Sequence, residues 1–416
     1  MQAPPITGLI LSGGGARAAY QVGVLAAIQQ LALEYGGGQR RLYDVIAGTS
    51  AGAINAAAMA GGADDLDRTT AHLLEVWQNL HVDQVYRADS LGVIRTGAGW
   101  LSMVSLGWML ARWRRLKPRS LLDNEPLGGL LERVTRLERV PQMLAEGHLR
   151  ALAVSASSYS SGVHMTFYDA AHEPSHWERS QRRAVRQRIT VQHLLASSAI
   201  PFVFPARQLP IEGQPEWFGD GSMRQAAPIS PAIHLGAQRV LVVGAGRMHE
   251  PPGERHVDPG YPSLAQIGGH ALSSIFLDTL AVDIERLQRV NRTLSLMGAE
   301  QRAHTTLRPV DLLVIAPSQR LDDLAARHLQ ALPPMVRALL RGVGVNAQSG
   351  GATSGSALTS YLLFEADYTR ELIALGEADT LARRDEVLRF FGWKRPQPDG
   401  RADGEVGLPA DQSVQA

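Results

Sequence analysis

Ser50 has the strongest claim to chemistry in this chain. It stands in Gly48-Thr49-Ser50-Ala51-Gly52, after a short apolar run and before an alanine-rich helical pattern. This is a Gly-x-Ser-x-Gly motif in the strand, sharp turn and helix context that a nucleophile elbow needs. Small residues at Gly48 and Gly52 let strand and helix backbones pass close together. The turn pushes the Ser50 hydroxyl outward, and the helix N-terminus behind it favours negative charge. A chain with 41 glycines meets the five-residue pattern by chance, so the surrounding context carries the reading.

A serine needs a base to attack at neutral pH, a contribution of about 10²–10⁴-fold. The chain has 13 histidines, and none stands in a setting that marks it as that base. His193, His234 and His270 follow the elbow and stay open as candidates. Asp220 is the other candidate. It closes a hairpin-like segment, Trp217-Phe218-Gly219-Asp220-Gly221-Ser222, where partial burial would raise its basicity. An aspartate in an ordinary tight turn is the plain alternative.

A second glycine loop precedes the elbow. The apolar run 6–11 stops at Ser12-Gly13-Gly14-Gly15-Ala16-Arg17-Ala18, and Tyr20, Val24, Ala27, Ile28 and Leu31 then fall at helical spacing. Amides of Gly13, Gly14 and Gly15 at a helix start suit an oxyanion hole. Gly13-x-Gly15-x-x-Ala18 also fits a dinucleotide fingerprint, which asks for an acidic residue at the end of the next strand. Here that strand ends in Ala47-Gly48-Thr49-Ser50, a nucleophile instead of a carboxylate.

The elements that would carry these residues alternate. Strand, glycine loop, helix, strand, glycine loop and helix fill the first 60 residues, the pattern of an α/β protein with a mainly parallel sheet. Strands are expected at 42–47, 150–155, 164–168, 239–244 and 311–316, and helices at 64–80, 191–199 and 263–296. Residues 171–188 are polar and arginine-rich and read as a surface loop or helix. Beyond residue 321 the pattern is helical to 391, broken at 348–356. The segment 91–115 is unusual: from Thr96 to Ala111 it holds no charge, with Trp100 and Trp108 inside it and Arg112, Arg114 and Arg115 closing it. It is short of the ~20 residues a spanning helix needs. It suits a membrane interface, a lid over an apolar site, or a buried helix.

Composition narrows the classes. The chain has 416 residues, 45% apolar and 19% charged, with a net charge of +1, so nothing suggests nucleic acid. It has no cysteine, which excludes thiolate catalysis, disulfides and cysteine-ligated metal. The start lacks a basic region before its first apolar run, so no signal peptide is expected and the cytoplasm is the expected location.

The order Gly-Gly-Gly-x-Arg, Gly-x-Ser-x-Gly, Asp-Gly-Ser resembles the patatin-like phospholipases, of the bacterial type. Residues 9–25, the block Ala196-Ser197-Ser198-Ala199-Ile200-Pro201 with Phe204-Pro205, and weaker echoes at 120–124 and 360–364 extend the resemblance over roughly residues 6–380. It implies a three-layer α/β/α fold with a mainly parallel central sheet and added C-terminal helices. The division would be a catalytic domain over 1–320, a helical extension over 321–395 and a disordered tail over 396–416. It implies a serine lipid acyl hydrolase of the phospholipase A or lysophospholipase type, with Ser50 as nucleophile and Asp220 as base. Gly13, Gly14 and Gly15 would form the oxyanion hole, and Arg17 would hold that loop. No metal or cofactor is implied; the partner is a phospholipid or other acyl-ester lipid, with peripheral membrane contact. Two positions depart from the pattern: Ala18 replaces a glycine, and Ser222 stands where glycine or alanine is usual, with room for a hydrogen bond near Asp220. The alternatives are a non-catalytic lipid-binding protein of the same fold and a nucleotide-binding α/β protein.

Overall fold

The computed structural model describes residues 4–36, 38, 41–87, 120–173, 177–248, 261–345 and 355–394. The expectations for 91–115 and 396–416 therefore lie outside the described residues.

A ten-stranded mixed sheet forms the centre. Strands β1 (Thr7–Leu11), β2 (Val45–Thr49) and β3 (Ala151–Ser158) follow one another in space, and β9 (Arg239–Val243) and β10 (Asp311–Ile315) continue the sheet beyond β1. These five strands are parallel, with Ile10 opposite Ala47 on one side and Val242 on the other. On the far side of β3 lie β4 (His164–Ala170), β6 (Arg182–Arg186) and β5 (Glu178–Arg179). A hairpin of β7 (Arg207–Ile211) and β8 (Gln214–Asp220) joins β3 through antiparallel β8.

The short unbroken apolar runs of β1, β2 and β9 are buried along their whole length, as strands covered on both faces must be. Their side chains alternate between two cores. Leu9, Leu11 and Ile46 enter one, and Ile10, Val45 and Ala47 enter the other. The first core is covered by α1 (Ala19–Tyr35), α2 (Ala51–Gly61) and later helices. The second is covered by α6 (Leu264–Leu296), which buries Leu280, Ile284 and Leu287 there. Five residues of α6, Ser274–Asp278, form a π turn. By length and composition α6 could span a membrane, but this inner face packs into the core.

Helix α8 (Ala366–Ala382) lies along α1 at close range. A Cβ on Gly23 would sit 2.0 Å from the Ile373 carbonyl oxygen, and one on Gly376 would sit 2.2 Å from that of Tyr20. Only glycine allows that approach, so the C-terminal helices share the main core with the β1–β2 unit.

Two sequence expectations change. The second strand begins at Val45 and runs to Thr49, later than 42–47, because it pairs in register with β1 and β3. Residues 171–188 contain β5 and β6 in place of a surface loop or helix; the arginines at 182–186 sit on an edge of the sheet, where exposed charge is tolerated. The C-terminal stretch is helical as expected, in pieces that include Leu321–Arg327, Pro334–Gly342, α7 (Ser356–Leu362) and α8.

Candidate active site

Strand β2 delivers Ser50 into a backbone conformation that side chains rarely adopt, φ 56° and ψ −131°. Such a conformation costs about 1–3 kcal/mol and persists only where its surroundings hold it. Here the Ser50 amide donates to the Ser197 hydroxyl at 2.8 Å, and the Ala53 amide donates to the Ser50 carbonyl at 2.9 Å. The flanking glycines have no room for a side chain. A Cβ on Gly48 would lie 2.5 Å from the Gly52 carbonyl oxygen, and one on Gly52 would lie 2.3 Å from that of Leu11. The elbow is thus wedged against the end of β1.

Asp220 ends β8 opposite Ala156 of β3. Its amide donates to Ala199, and the Gly221 amide donates to Ser197, each at 3.0 Å. A Cβ on Gly221 would meet the Ser155 carbonyl oxygen at 2.0 Å, so this turn also requires glycine. Helix α5 (Val191–Ser197) and its following turn therefore grip both ends of the site, the nucleophile through the Ser197 hydroxyl and the aspartate through backbone.

The result is a direct contact. Ser50 Oγ donates to Asp220 Oδ2 at 2.6 Å, with both residues buried. The Ser222 amide donates to Asp220 Oδ1 at 2.8 Å. Burial pushes the Asp220 carboxyl up to about 6, while the Ser50 hydroxyl, the Ser222 amide and the nearby Ser222 hydroxyl pull it down. A carboxylate with that affinity can take a proton from a hydroxyl and return it near neutral pH.

The histidine candidates stand elsewhere. His193 is buried, packs edge-on against Phe167, and receives the Thr190 amide on Nδ1 at 3.1 Å. His234 stacks on Trp177, and His270 is exposed on α6. Among the described residues no histidine hydrogen-bonds to Ser50 or Asp220.

The other glycine loop lies alongside. Gly15 has φ 55° and begins a 3₁₀ turn, Gly15–Ala18, that feeds α1. A Cβ there would meet the Tyr361 carbonyl oxygen at 2.3 Å. Arg17 is buried beneath the loop. It pairs with Asp322, donates from Nε to the Ser360 hydroxyl at 2.8 Å, and lies 3.9 Å over the Tyr361 ring. A buried polar chain braces the helices behind both loops. Asn55 donates to the Ala18 carbonyl and to Gln21, Gln21 donates to the Ser12 carbonyl, and the Trp77 indole donates to Asn55.

A small apolar recess of about 40 Å³ opens between Gly15 and Ser50. Ile54, Trp77, Leu80, Leu130 and Phe204 supply much of its wall. Such an apolar recess beside a buried hydroxyl–carboxylate pair suits a hydrocarbon chain attached to a reactive acyl carbon. Among the described residues no three histidine, aspartate or glutamate side chains converge as metal ligands.

A family model for patatin-like phospholipases matches residues 9–233, more than half of the 416. The chain belongs to that family. Membership supports lipid ester hydrolysis in general and a lipid as substrate. Solved structures overlap this chain loosely. Human GIVD cytosolic phospholipase A2 is 11% identical with a TM-score of 0.43, over 93% of this chain and 60% of that protein. VipD from Legionella pneumophila is 13% identical with a TM-score of 0.30, over 89% of this chain and 67% of that one. ExoU, in complex with SpcU from Pseudomonas aeruginosa, is 16% identical with a TM-score of 0.27, over 90% of this chain and 71% of that chain. No curated protein matches the chain.

Sequence reasoning missed Ser197 and Ser360 as supports. Both lie in stretches singled out for their likeness to family blocks, so the signal was there without its meaning. Asp322 carried no signal of its own.

Proposed function

We propose that this patatin-like protein hydrolyses acyl esters of lipids, of the phospholipase A or lysophospholipase type, with Ser50 as nucleophile and Asp220 as base. The observation that carries the reading is the 2.6 Å hydrogen bond between two buried side chains at the mouth of an apolar cavity. Ser50 Oγ attacks the acyl carbon as its proton passes to Asp220. Amides of the Gly13, Gly14 and Gly15 loop, held by Arg17, receive the developing oxyanion. The carbon–oxygen bond to the alcohol breaks, and Asp220 returns the proton to that leaving oxygen. Water then attacks the acyl-Ser50 ester, giving its proton to Asp220, which passes it to Ser50 Oγ.

Phe202 supports peripheral contact with a lipid surface. It is 72% exposed between Ile200 and Phe204, both of which line the cavity.

The test is lipid turnover, read by mass spectrometry across a phospholipid and lysophospholipid panel. A fluorophosphonate probe should label Ser50, and Ser50→Ala and Asp220→Asn should each lose about 10³-fold or more in turnover. Robust turnover by Asp220→Asn would overturn the dyad. Vesicle binding without labelling or turnover would instead favour a non-catalytic lipid-binding protein.

A further inference from the structure

Ser222 carries a hydroxyl that the mechanism so far leaves unused. The residue is 3% exposed, and its Oγ has no hydrogen-bond partner among the described residues. A buried polar atom left unpaired costs about 1–3 kcal/mol, so its retention at this place asks for a reason. The place is specific. The Ser222 amide already holds Asp220 Oδ1, and a Cβ on Gly13 would lie 2.4 Å from Ser222 Oγ. The hydroxyl therefore sits between the aspartate and the glycine loop.

The aspartate's partners change during the reaction proposed above, on which this inference rests. Before attack, Asp220 accepts hydrogen bonds from the Ser50 hydroxyl and the Ser222 amide. Forming the acyl-enzyme joins Ser50 Oγ to the acyl carbon and sends its proton, through Asp220, to the departing alcohol. Asp220 is then an anion again, still buried, and its Ser50 donor is gone. A buried carboxylate that loses a donor becomes harder to keep ionised. It must be ionised to take the proton of the incoming water.

We propose that Ser222 is a positioning residue for deacylation: its hydroxyl turns to donate to Asp220 once Ser50 is acylated, replacing the bond that Ser50 Oγ can no longer make. In the free protein this hydroxyl lies beside Asp220, short of a hydrogen bond. Glycine or alanine here would leave Asp220 of the acyl-enzyme with the backbone amide of position 222 alone.

The experiment uses the full chain and a chromogenic acyl ester between pH 5 and 8, with Ser222→Ala and Ser222→Gly. Intact-mass measurement gives the fraction of acyl-Ser50 at steady state. Both variants should move the acid limb of deacylation upward by about one pH unit, the effect of one hydrogen bond to a charged group. Below the midpoint that slows deacylation about tenfold and raises the acylated fraction, while the acid limb of kcat/KM, which reports the free protein, moves by less. The two variants differ in packing volume but share the missing hydroxyl, so a structural defect would separate them and a hydroxyl effect would not. An unchanged acylated fraction at pH 6, or a parallel fall of kcat and kcat/KM at every pH, overturns the proposal. Turnover surviving in Ser50→Ala or Asp220→Asn would overturn the dyad itself, a different result from the same assay.

Discussion

The two glycine turns at the ends of β1 and β2 look alike in sequence and are held in different ways. The β2 turn carries Ser50 and is fixed from within the first half of the chain, with Gly52 pressed on the Leu11 and Ser12 carbonyls and the Ser50 amide on Ser197. The β1 turn is fixed from the far end of the chain. Gly15 packs on Tyr361, and Arg17 reaches Ser360 and Asp322. The turn that bears the proposed nucleophile is therefore part of the sheet's own construction. The turn proposed to receive the oxyanion depends on helices that the family match, ending at residue 233, does not reach.

That contrast can be broken by substitution. Gly52→Ala should do the most damage, since the added carbon meets backbone oxygens of β1 at 2.3 and 2.4 Å that cannot move without shifting a central strand. We expect insoluble or inactive protein, read by soluble yield and probe labelling; a soluble variant that labels normally would show the elbow to be looser than its geometry. Arg17→Met comes next. It strips a buried cation from Asp322 and Ser360 and should lower unfolding stability by about 3 kcal/mol in urea. Stability equal to the parent would mean that the C-terminal helices hold the loop without this ion pair.

Acid sharpens the comparison further. Burial holds His164 and His193 down at about 4, below the ordinary 6.5. The folded state therefore binds fewer protons than the unfolded chain between those values. The stability they contribute is full above pH 6.5 and is lost as pH falls from 6.5 toward 4. Urea midpoints should drop between pH 7 and pH 5, and less steeply in His193→Gln. Smallest is the activity limb set by Asp220. Raised by burial to about 6, it must be ionised to act, so turnover should rise with pH through about 6. A limb near 4 would mean that the carboxylate is better solvated than its burial implies.

Much of this was legible in advance because it is local. Apolar runs before Gly13 and Gly48 mark buried strands, and the residues that follow alternate at helical spacing. Strands β5 and β6 were missed because their arginine-rich sequence carries no apolar alternation; pairing of β6 with β4, and of β5 with β6, makes them strands. The base was half legible. Sequence could narrow it to Asp220 or one of three histidines, and only the resemblance to the patatin-like family chose among them.

By itself, then, the sequence determined the two strand–glycine–helix units and the sharp turn that presents Ser50, since sterics and hydrophobic periodicity act within a few residues. Tertiary structure decided what each meets. It brought Asp220 to Ser50 across 170 positions, Ser360 to Arg17 across 343, and left Ser222 with a buried hydroxyl facing Gly13. Those contacts depend on how separate elements pack, and no local pattern encodes that distance.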